Sequence, residues 1–156
     1  MSWDMWHVEG FGFRTDAIDI DHFKSFCQKH ETQFEKYDKA ESVKNVITDY
    51  LSDGYDHDDW DPLDEIRQCT ERYALSEIIA FIIRKENPLI SFEDIGISDE
   101  SEEAVMFLPC MPWEMTPTEE KLTQDHLMNI INKYADELGV PANTDYRGYL
   151  DLTFSG

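Results

Sequence analysis

The chain has 156 residues, of which 34 are Asp or Glu and 13 are Lys or Arg, so its formal net charge is −21. Because nucleic acids and anionic lipids are bound mainly through Lys and Arg, this charge argues against direct binding to DNA, RNA or a membrane surface. The excess acid is spread over both halves of the chain and is not gathered in a tail. We therefore expect a basic protein as the partner.

The apolar residues make up 41% of the sequence, which is too many for a disordered chain and enough for one hydrophobic core. The N-terminus lacks the basic start and apolar centre of a secretory signal, and no apolar run reaches the ~18 residues of a membrane span. Cys27, Cys69 and Cys110 form no CxxC pair, which predicts buried or free thiols in a reducing compartment. We expect a single globular domain over residues 1–156, located in the cytoplasm.

The first third of the chain predicts one strand and two helices. Both faces of residues 3–13 are partly apolar and alternate, as in a strand, and two late glycines could bend or bulge it. Asp19 or Asp21 could cap a short helix that follows. In the segment AESVKNVITDYLSDG, residues 40–54, apolar side chains recur at the spacing of an amphipathic helix.

The middle of the chain predicts a long helix that begins at Asp61 and Pro62. Asp is a preferred N-cap, and Pro fits the first helical position. Apolar residues continue to Asn87, with a break expected near Ala74, and Cys69 is predicted to lie in the middle of the helix.

The last third predicts a hairpin, a helix and a final strand. Residues 89–97 and 104–111 are strand candidates that flank an acidic turn. Thr116–Glu119 combines a cap, a proline and a capping-box glutamate, so a helix should start there and end at Gly139. Residues 146–154 alternate like a half-buried strand. The order β-α-α-α-β-β-α-β predicts an α+β fold, in which helices cover a small, mostly antiparallel sheet of about four strands.

The most acidic stretch is DGYDHDDWDPLDE, residues 53–65. No register of it fits the calcium loop of an EF-hand, which needs a glycine at its sixth position and a glutamate at its twelfth. A less regular site for a divalent ion, formed by Asp56, His57, Asp58 and Asp61, is an alternative interpretation. It would correspond to a metal-dependent hydrolase.

No other motif indicates catalysis or a cofactor. The sequence has no G-x-S-x-G elbow, no cysteine with a local catalytic signature and no complete phosphate-binding loop. His7, His22, His30 and His126 follow no ligand spacing, so we expect surface or hydrogen-bonded structural roles for them. We therefore predict a protein that is not an enzyme and has no metal or cofactor.

The segment LPCMPWEMTP, residues 108–117, carries Trp113 among three prolines and two methionines. It could be a hydrophobic plug that closes one end of the core. Alternatively it is a contact loop, because Trp and Met are favoured anchors at interfaces. Trp60, which stands among carboxylates, raises the same alternatives.

In its size, cytoplasmic character and dispersed acidity the chain resembles phage-encoded DNA-mimic inhibitors, including the anti-CRISPR proteins. The resemblance lies in composition alone and transfers no residue roles. It implies a viral protein that blocks a CRISPR nuclease or another basic nucleic-acid-binding enzyme, in the host cytoplasm if it is phage-encoded. An immunity protein that neutralises a nuclease toxin is the alternative. The predicted contact residues are Asp49, Asp53, Tyr55, Asp56, Asp58, Asp59, Trp60, Asp61, Asp64, Glu65 and Trp113.

Overall fold

The computed structural model describes residues 5–51, 61–97, 102–107 and 117–155. The elements in chain order are β1 (Met5–Arg14), α1 (Ile20–Lys29), α2 (Glu31–Phe34), α3 (Ala40–Leu51), α4 (Pro62–Gln68), α5 (Leu75–Glu86), β2 (Phe92–Ile97), β3 (Glu102–Phe107), α6 (Pro117–Glu120), α7 (Gln124–Glu137) and β4 (Arg147–Ser155).

The four strands form one antiparallel sheet in the order β2-β3-β1-β4, which confirms the α+β prediction. β1 lies in the middle of the sheet and pairs with β3 on one side and β4 on the other. α5 packs on β2 and β3, while α7 packs on β1 and β4. β2 and β4 are therefore the two edge strands.

The main core lies between the helices and the sheet. Phe13 of β1 and Val105 of β3 are fully buried in it, and so are Ile78 and Ile82 of α5. The i and i+4 spacing of these isoleucines places both on the same face of the helix, as the apolar pattern predicts. A second, smaller cluster of buried side chains contains Met106 of β3 and Leu150 of β4.

The first two predicted helix starts are confirmed at the level of single hydrogen bonds. Asp19 caps α1, because its side chain accepts from the backbone N–H of His22 at 2.8 Å. Asp61 caps α4 by accepting from the backbone N–H of Leu63 at 3.0 Å, and Pro62 is the first helical residue.

The expected break near Ala74 separates α4 from α5, and it is wider than predicted. α4 ends at Gln68, so the prediction that Cys69 lies within a helix is wrong, because it is the C-cap. Tyr73 in the connecting turn has a φ of +54°, in the left-handed region that a continuous α-helix cannot contain.

A helix begins at Pro117, as the Thr116–Glu119 pattern predicts, but it is the short α6 and the long helix starts later; Thr116 itself lies outside the described residues. α6 has only four residues, and Thr123 caps α7 by accepting from the backbone N–H of His126 at 3.1 Å. The side chain of Glu119 is buried and accepts from the backbone N–H of Ser91 at 3.0 Å. α7 ends as predicted, before Gly139 at a φ of +70°.

Gly12 allows β1 and β3 to approach each other closely. A Cβ atom at this position would lie 2.0 Å from the carbonyl oxygen of Val105 and 2.7 Å from the Cα of Met106. The register of β1 with both neighbours runs through Gly12 without an inserted residue, so the glycine serves close packing and does not mark a bulge.

Candidate partner-binding surface

Four of the predicted contact residues lie in the described part of the chain: Asp49, Asp61, Asp64 and Glu65. The others lie outside the described residues, as does His57 of the considered metal cluster: Asp53, Tyr55, Asp56, Asp58, Asp59, Trp60 and Trp113. For these residues the contact surface stays a prediction.

The described acids lie on two helices that contact each other. Asp49 is exposed near the C-terminal end of α3, and α3 packs against α4. Asp61, Asp64 and Glu65 occupy the cap and first turn of α4, where carboxylates are stabilised by the positive end of the helix dipole. Asp64 also forms an ion pair with Arg67, with 2.9 Å between Oδ1 and Nη1. α4 is therefore a short helix with an acidic N-terminal end exposed to solvent.

Every arginine in the sequence forms an ion pair with a carboxylate. The closest pairs are Arg14–Asp16, Arg67–Asp64, Arg72–Asp94, Arg84–Asp94 and Arg147–Asp136. Arginine is the side chain best suited to bidentate phosphate binding. Here each guanidinium already pairs with a carboxylate of the same chain. Because the sequence has 34 acids and only 13 bases, most carboxylates have no such partner to balance their charge.

A buried carboxylate connects the sheet to the start of α5. Glu103 of β3 accepts hydrogen bonds at Oε1 from the Thr15 hydroxyl (2.9 Å) and the backbone N–H of Ser76 (3.0 Å), and at Oε2 from Nε of Arg67 (3.2 Å). The N-cap residue of α5, Ala74, has no side-chain acceptor, so Glu103 supplies the cap from outside the helix. Burial raises the pKa of Glu103, and the nearby Arg67 charge opposes this effect.

A second buried cluster has His30 at its centre. Its Nδ1 lies 2.8 Å from Oε2 of Glu86, and its Nε2 lies 2.6 Å from Oε2 of Glu137. The imidazole ring of His30 thus bridges two carboxyl groups, with one at each ring nitrogen. The Tyr134 hydroxyl donates to Oε1 of Glu86 at 2.7 Å, and Lys29 pairs with Glu137 at 2.9 Å.

The surroundings of Glu137 affect its pKa in opposing ways. Burial alone would raise the pKa, but hydrogen bonds from His30 and Lys29 outweigh burial and hold the pKa below its usual value. His30 therefore has the hydrogen-bonded structural role that was predicted for the histidines. His22 is exposed and contacts Asp19, with 2.8 Å between Nδ1 and Oδ2.

Both buried clusters join separate elements of the fold. The carboxylates of each are occupied by hydrogen bonds that join elements of the fold. In the described ranges no three His, Cys, Asp or Glu side chains are grouped so that they could hold a metal ion. The thiol of Cys27 is buried, and burial raises its pKa, so the reactive thiolate is disfavoured.

Sequence patterns gave no indication of either cluster. His30 is separated by 56 residues from Glu86 and by 107 from Glu137, and Glu103 is 88 residues from Thr15. One feature of the sequence does bear on the Glu103 cluster: Ala74 is a poor N-cap, so the first turn of α5 needs a hydrogen-bond acceptor from elsewhere in the chain. The pattern could not show which of 34 acids provides it.

None of the helices in the described ranges is both long and apolar enough to cross a membrane. Comparison with known proteins found no matching family model, no matching curated protein and no matching solved structure.

Proposed function

We propose that this protein is a non-enzymatic inhibitor that occupies the nucleic-acid site of a basic protein, in the manner of DNA- or RNA-mimicking inhibitors of CRISPR nucleases. The proposed partner is a CRISPR effector or another nucleic-acid-binding enzyme. The proposed location is the cytoplasm, which is the host's cytoplasm if a phage or another mobile element encodes the chain.

The observation that carries the proposal is the combination of net charge with the pairing of the arginines. A net charge of about 2 to 8 in magnitude is sufficient to keep a small domain soluble, and −21 is far beyond that need. All five arginines pair with carboxylates of the same chain, so each guanidinium has a counter-charge nearby, and the excess of acids over bases leaves the surface strongly acidic. Such a surface attracts a cationic channel at long range and speeds association.

The exposed start of α4 supports this proposal. Asp61 and Glu65 are one helical turn apart, and successive turns rise by about 5.4 Å. Carboxylates on successive turns, and on the adjacent α3, would form rows of negative charge that resemble the phosphates of a duplex, which carries one charge per about 1.7 Å of axis. In this proposal Tyr55, Trp60 and Trp113 would supply the desolvated anchors that charge alone does not provide.

An immunity protein against a nuclease toxin would use the same surface and would differ only in its partner. The metal-dependent hydrolase proposed around Asp56, His57, Asp58 and Asp61 makes a different prediction. It requires a divalent ion to stabilise the fold, and this stabilisation must disappear in an Asp56→Ala/Asp58→Ala variant. A metal-dependent shift in Tm with that behaviour would count against the inhibitor.

The test is a binding titration against purified CRISPR effectors and nuclease toxins over a salt series of about 0.05 to 0.5 M NaCl, with and without competing nucleic acid. We expect the affinity to fall steeply with salt and the competitor to displace the protein. Binding that is insensitive to both salt and nucleic acid would contradict mimicry.

Matched variants identify the surface that is used. Asp61→Asn keeps the N-cap hydrogen bond while removing its charge, and Glu65→Gln removes the charge one turn later. This double variant should bind more weakly and with a shallower salt dependence. Asp125→Asn, in the first turn of α7, removes one charge at a helix start elsewhere and is the matched control for Asp61→Asn alone. If Asp61→Asn and Asp125→Asn lose the same amount of binding affinity, then the total charge of the protein matters and the start of α4 is not a defined binding surface.

A further inference from the structure

The two edge strands of the sheet differ in how their outward main-chain groups are satisfied. In an antiparallel pair, residues that hydrogen-bond the neighbouring strand alternate with residues that face away from it. The backbone N–H of Thr15 donates to the carbonyl of Glu103 at 2.9 Å, so the main-chain N–H and C=O groups of alternate β3 residues, starting at Glu103, point toward β1. The main-chain groups of Ala104 and Met106 then point toward β2. On β2 itself, the residues whose main-chain groups point away from β3 include Phe92 and Asp94.

Arginine side chains occupy the outward carbonyls of β2. Arg84 donates to the carbonyl of Phe92 at 3.2 Å, and Arg72 donates to the carbonyl of Asp94 at 3.4 Å. Covering an edge strand with charged side chains is one of the ways in which proteins prevent another chain from pairing with it. The β2 edge is therefore protected.

The edge formed by β4 carries no such protection in the described part of the chain. The backbone N–H of Arg14 donates to the carbonyl of Tyr146 at 2.7 Å, so even-numbered residues of β4 face β1 and odd-numbered ones face outward. The outward groups of Tyr149 and Asp151 receive no hydrogen bond from any described residue. β4 is nine residues long, and a strand of that length with open main-chain groups is a template for another strand.

The side chains beside this edge are acidic and not neutralised. Asp151 lies directly opposite Glu9 of β1, and neither forms an ion pair within the described ranges. Like charges directly opposite each other in a sheet are destabilising. A hydrogen bond with Glu9 and the charge of Asp151 raise the pKa of Tyr149, whose side chain is 54% exposed. No Lys or Arg of the described ranges forms an ion pair with Glu9 or Asp151.

We propose that an extended, basic segment of the partner protein adds to the outer edge of β4 as a fifth strand, with a Lys or Arg side chain placed beside Glu9 and Asp151. Main-chain hydrogen bonds to Tyr149 and Asp151 provide affinity, and the paired acids select the basic side chain. The choice of a basic occupant rests on the proposed function. A second copy of this chain fits less well, because it brings a further net charge of −21 and a second Asp151.

The first test uses the full chain and a synthetic peptide of about ten residues that alternates Val or Thr with Lys. We expect binding that protects the amides of Tyr149 and Asp151 from hydrogen exchange. A peptide with Glu in place of Lys should not bind. A lysine peptide N-methylated at alternate amides keeps its charge but loses its edge hydrogen bonds, so it should bind at least about tenfold more weakly. Equal binding by the methylated peptide would overturn the proposal.

The second test separates the contribution of the main-chain hydrogen bond from that of the side-chain charge at Asp151. Asp151→Asn removes the carboxylate but keeps the outward N–H, and should weaken the lysine peptide about threefold. Asp151→Pro also removes that N–H, which the sheet does not use, and should weaken the peptide at least about tenfold beyond Asp151→Asn. Thermal unfolding checks that both variants fold. Equal affinities of the two folded variants would overturn the edge proposal, and so would a dimer that Asp151→Pro abolishes.

These outcomes are distinct from those for the proposed function. If Asp151→Pro binds a basic nuclease with unchanged affinity and salt dependence, the inhibitor stands and the edge proposal fails. If the wild-type chain binds the lysine peptide through its edge but no nuclease, the edge proposal stands and the inhibitor fails.

Discussion

Glu103 and Glu137 are both shielded from solvent, yet their surroundings move their pKa values in opposite directions. Burial is the largest influence on Glu103 and leaves its pKa raised despite the nearby Arg67. Burial also acts on Glu137, but His30 and Lys29 outweigh it, so the pKa is lowered. The two glutamates differ in their partners: Glu137 contacts both His30 and Lys29, whereas Glu103 shares one arginine with Asp64.

Opposite shifts predict opposite pH dependences for two otherwise matched variants. Glu137 has a lowered folded pKa, so its contribution to stability is present above the unfolded value of about 4.3 and is lost as pH falls through the folded value. Glu103 has a raised folded pKa, so its contribution is present below about pH 4.3 and is lost as pH rises through the folded value.

The measurement is the free energy of unfolding by denaturant over a pH series for wild type, Glu137→Gln and Glu103→Gln. The stability advantage of wild type over Glu137→Gln should shrink toward acid pH. Its advantage over Glu103→Gln should shrink toward neutral pH. Two differences that change with pH in the same direction would contradict the assigned electrostatic roles.

At the level of elements, the sequence was informative where a pattern is local. The apolar spacing of α3 and the alternation of β4 depend on one face being buried, so both could be predicted from neighbouring residues alone. The Asp61–Pro62 helix start was predictable for the same reason. The helix predicted at Thr116–Glu119 begins at Pro117 but ends after four residues, and Glu119 also contacts the backbone N–H of Ser91, a distant group about which a local pattern contains no information.

The candidate surface was predictable only in part. The total charge and the acidic start of α4 follow directly from composition and capping preference. The unprotected edge of β4 could not be predicted, because it depends on strand order and on which carbonyls Arg72 and Arg84 reach. Both features depend on contacts between segments that are distant in the sequence, and residue type alone does not predict such contacts.

The pairing of β1 with β3 predicts a strong effect of Gly12→Ala. The new Cβ would collide with main-chain atoms of β3, which cannot rotate away as a side chain can. We expect a loss of more than about 3 kcal/mol of stability, or a chain that does not fold. Gly148→Ala is the control: Gly148 has a φ of +109°, but the nearest atom to its added Cβ is 3.9 Å away, so backbone strain of about 1–2 kcal/mol is the expected cost.

Chemical denaturation of both glycine variants provides the measurement, with the strand content checked by circular dichroism. If Gly12→Ala is as stable as Gly148→Ala, then β3 is not held against β1 as closely as the structure shows.

For the whole molecule, the net charge of −21 acts on stability as well as on binding. Repulsion among carboxylates favours the expanded chain, and salt screens it over a Debye length of about 10 Å at 0.1 M. We therefore expect Tm at neutral pH to rise with NaCl concentration. Near the pI of about 4.3 the net repulsion vanishes, so the same salt series should change Tm much less. Differential scanning calorimetry measures both series, and a Tm that falls with salt at neutral pH would show that the internal ion pairs outweigh the repulsion.

His30 stands where three helices end. It is the C-cap of α1, while Glu86 and Glu137 are the last residues of α5 and α7. The C-terminal end of a helix carries about half a negative charge, and its last turn is where it ordinarily frays. The His30 ring contacts a carboxyl group at each of its nitrogens, so it lies at all three helix ends and holds them together. The C-terminal ends of α1, α5 and α7 are therefore linked to one another through His30, Glu86, Glu137 and Tyr134. If one of these ends unfolds locally, the contacts that it makes with the other two ends are lost.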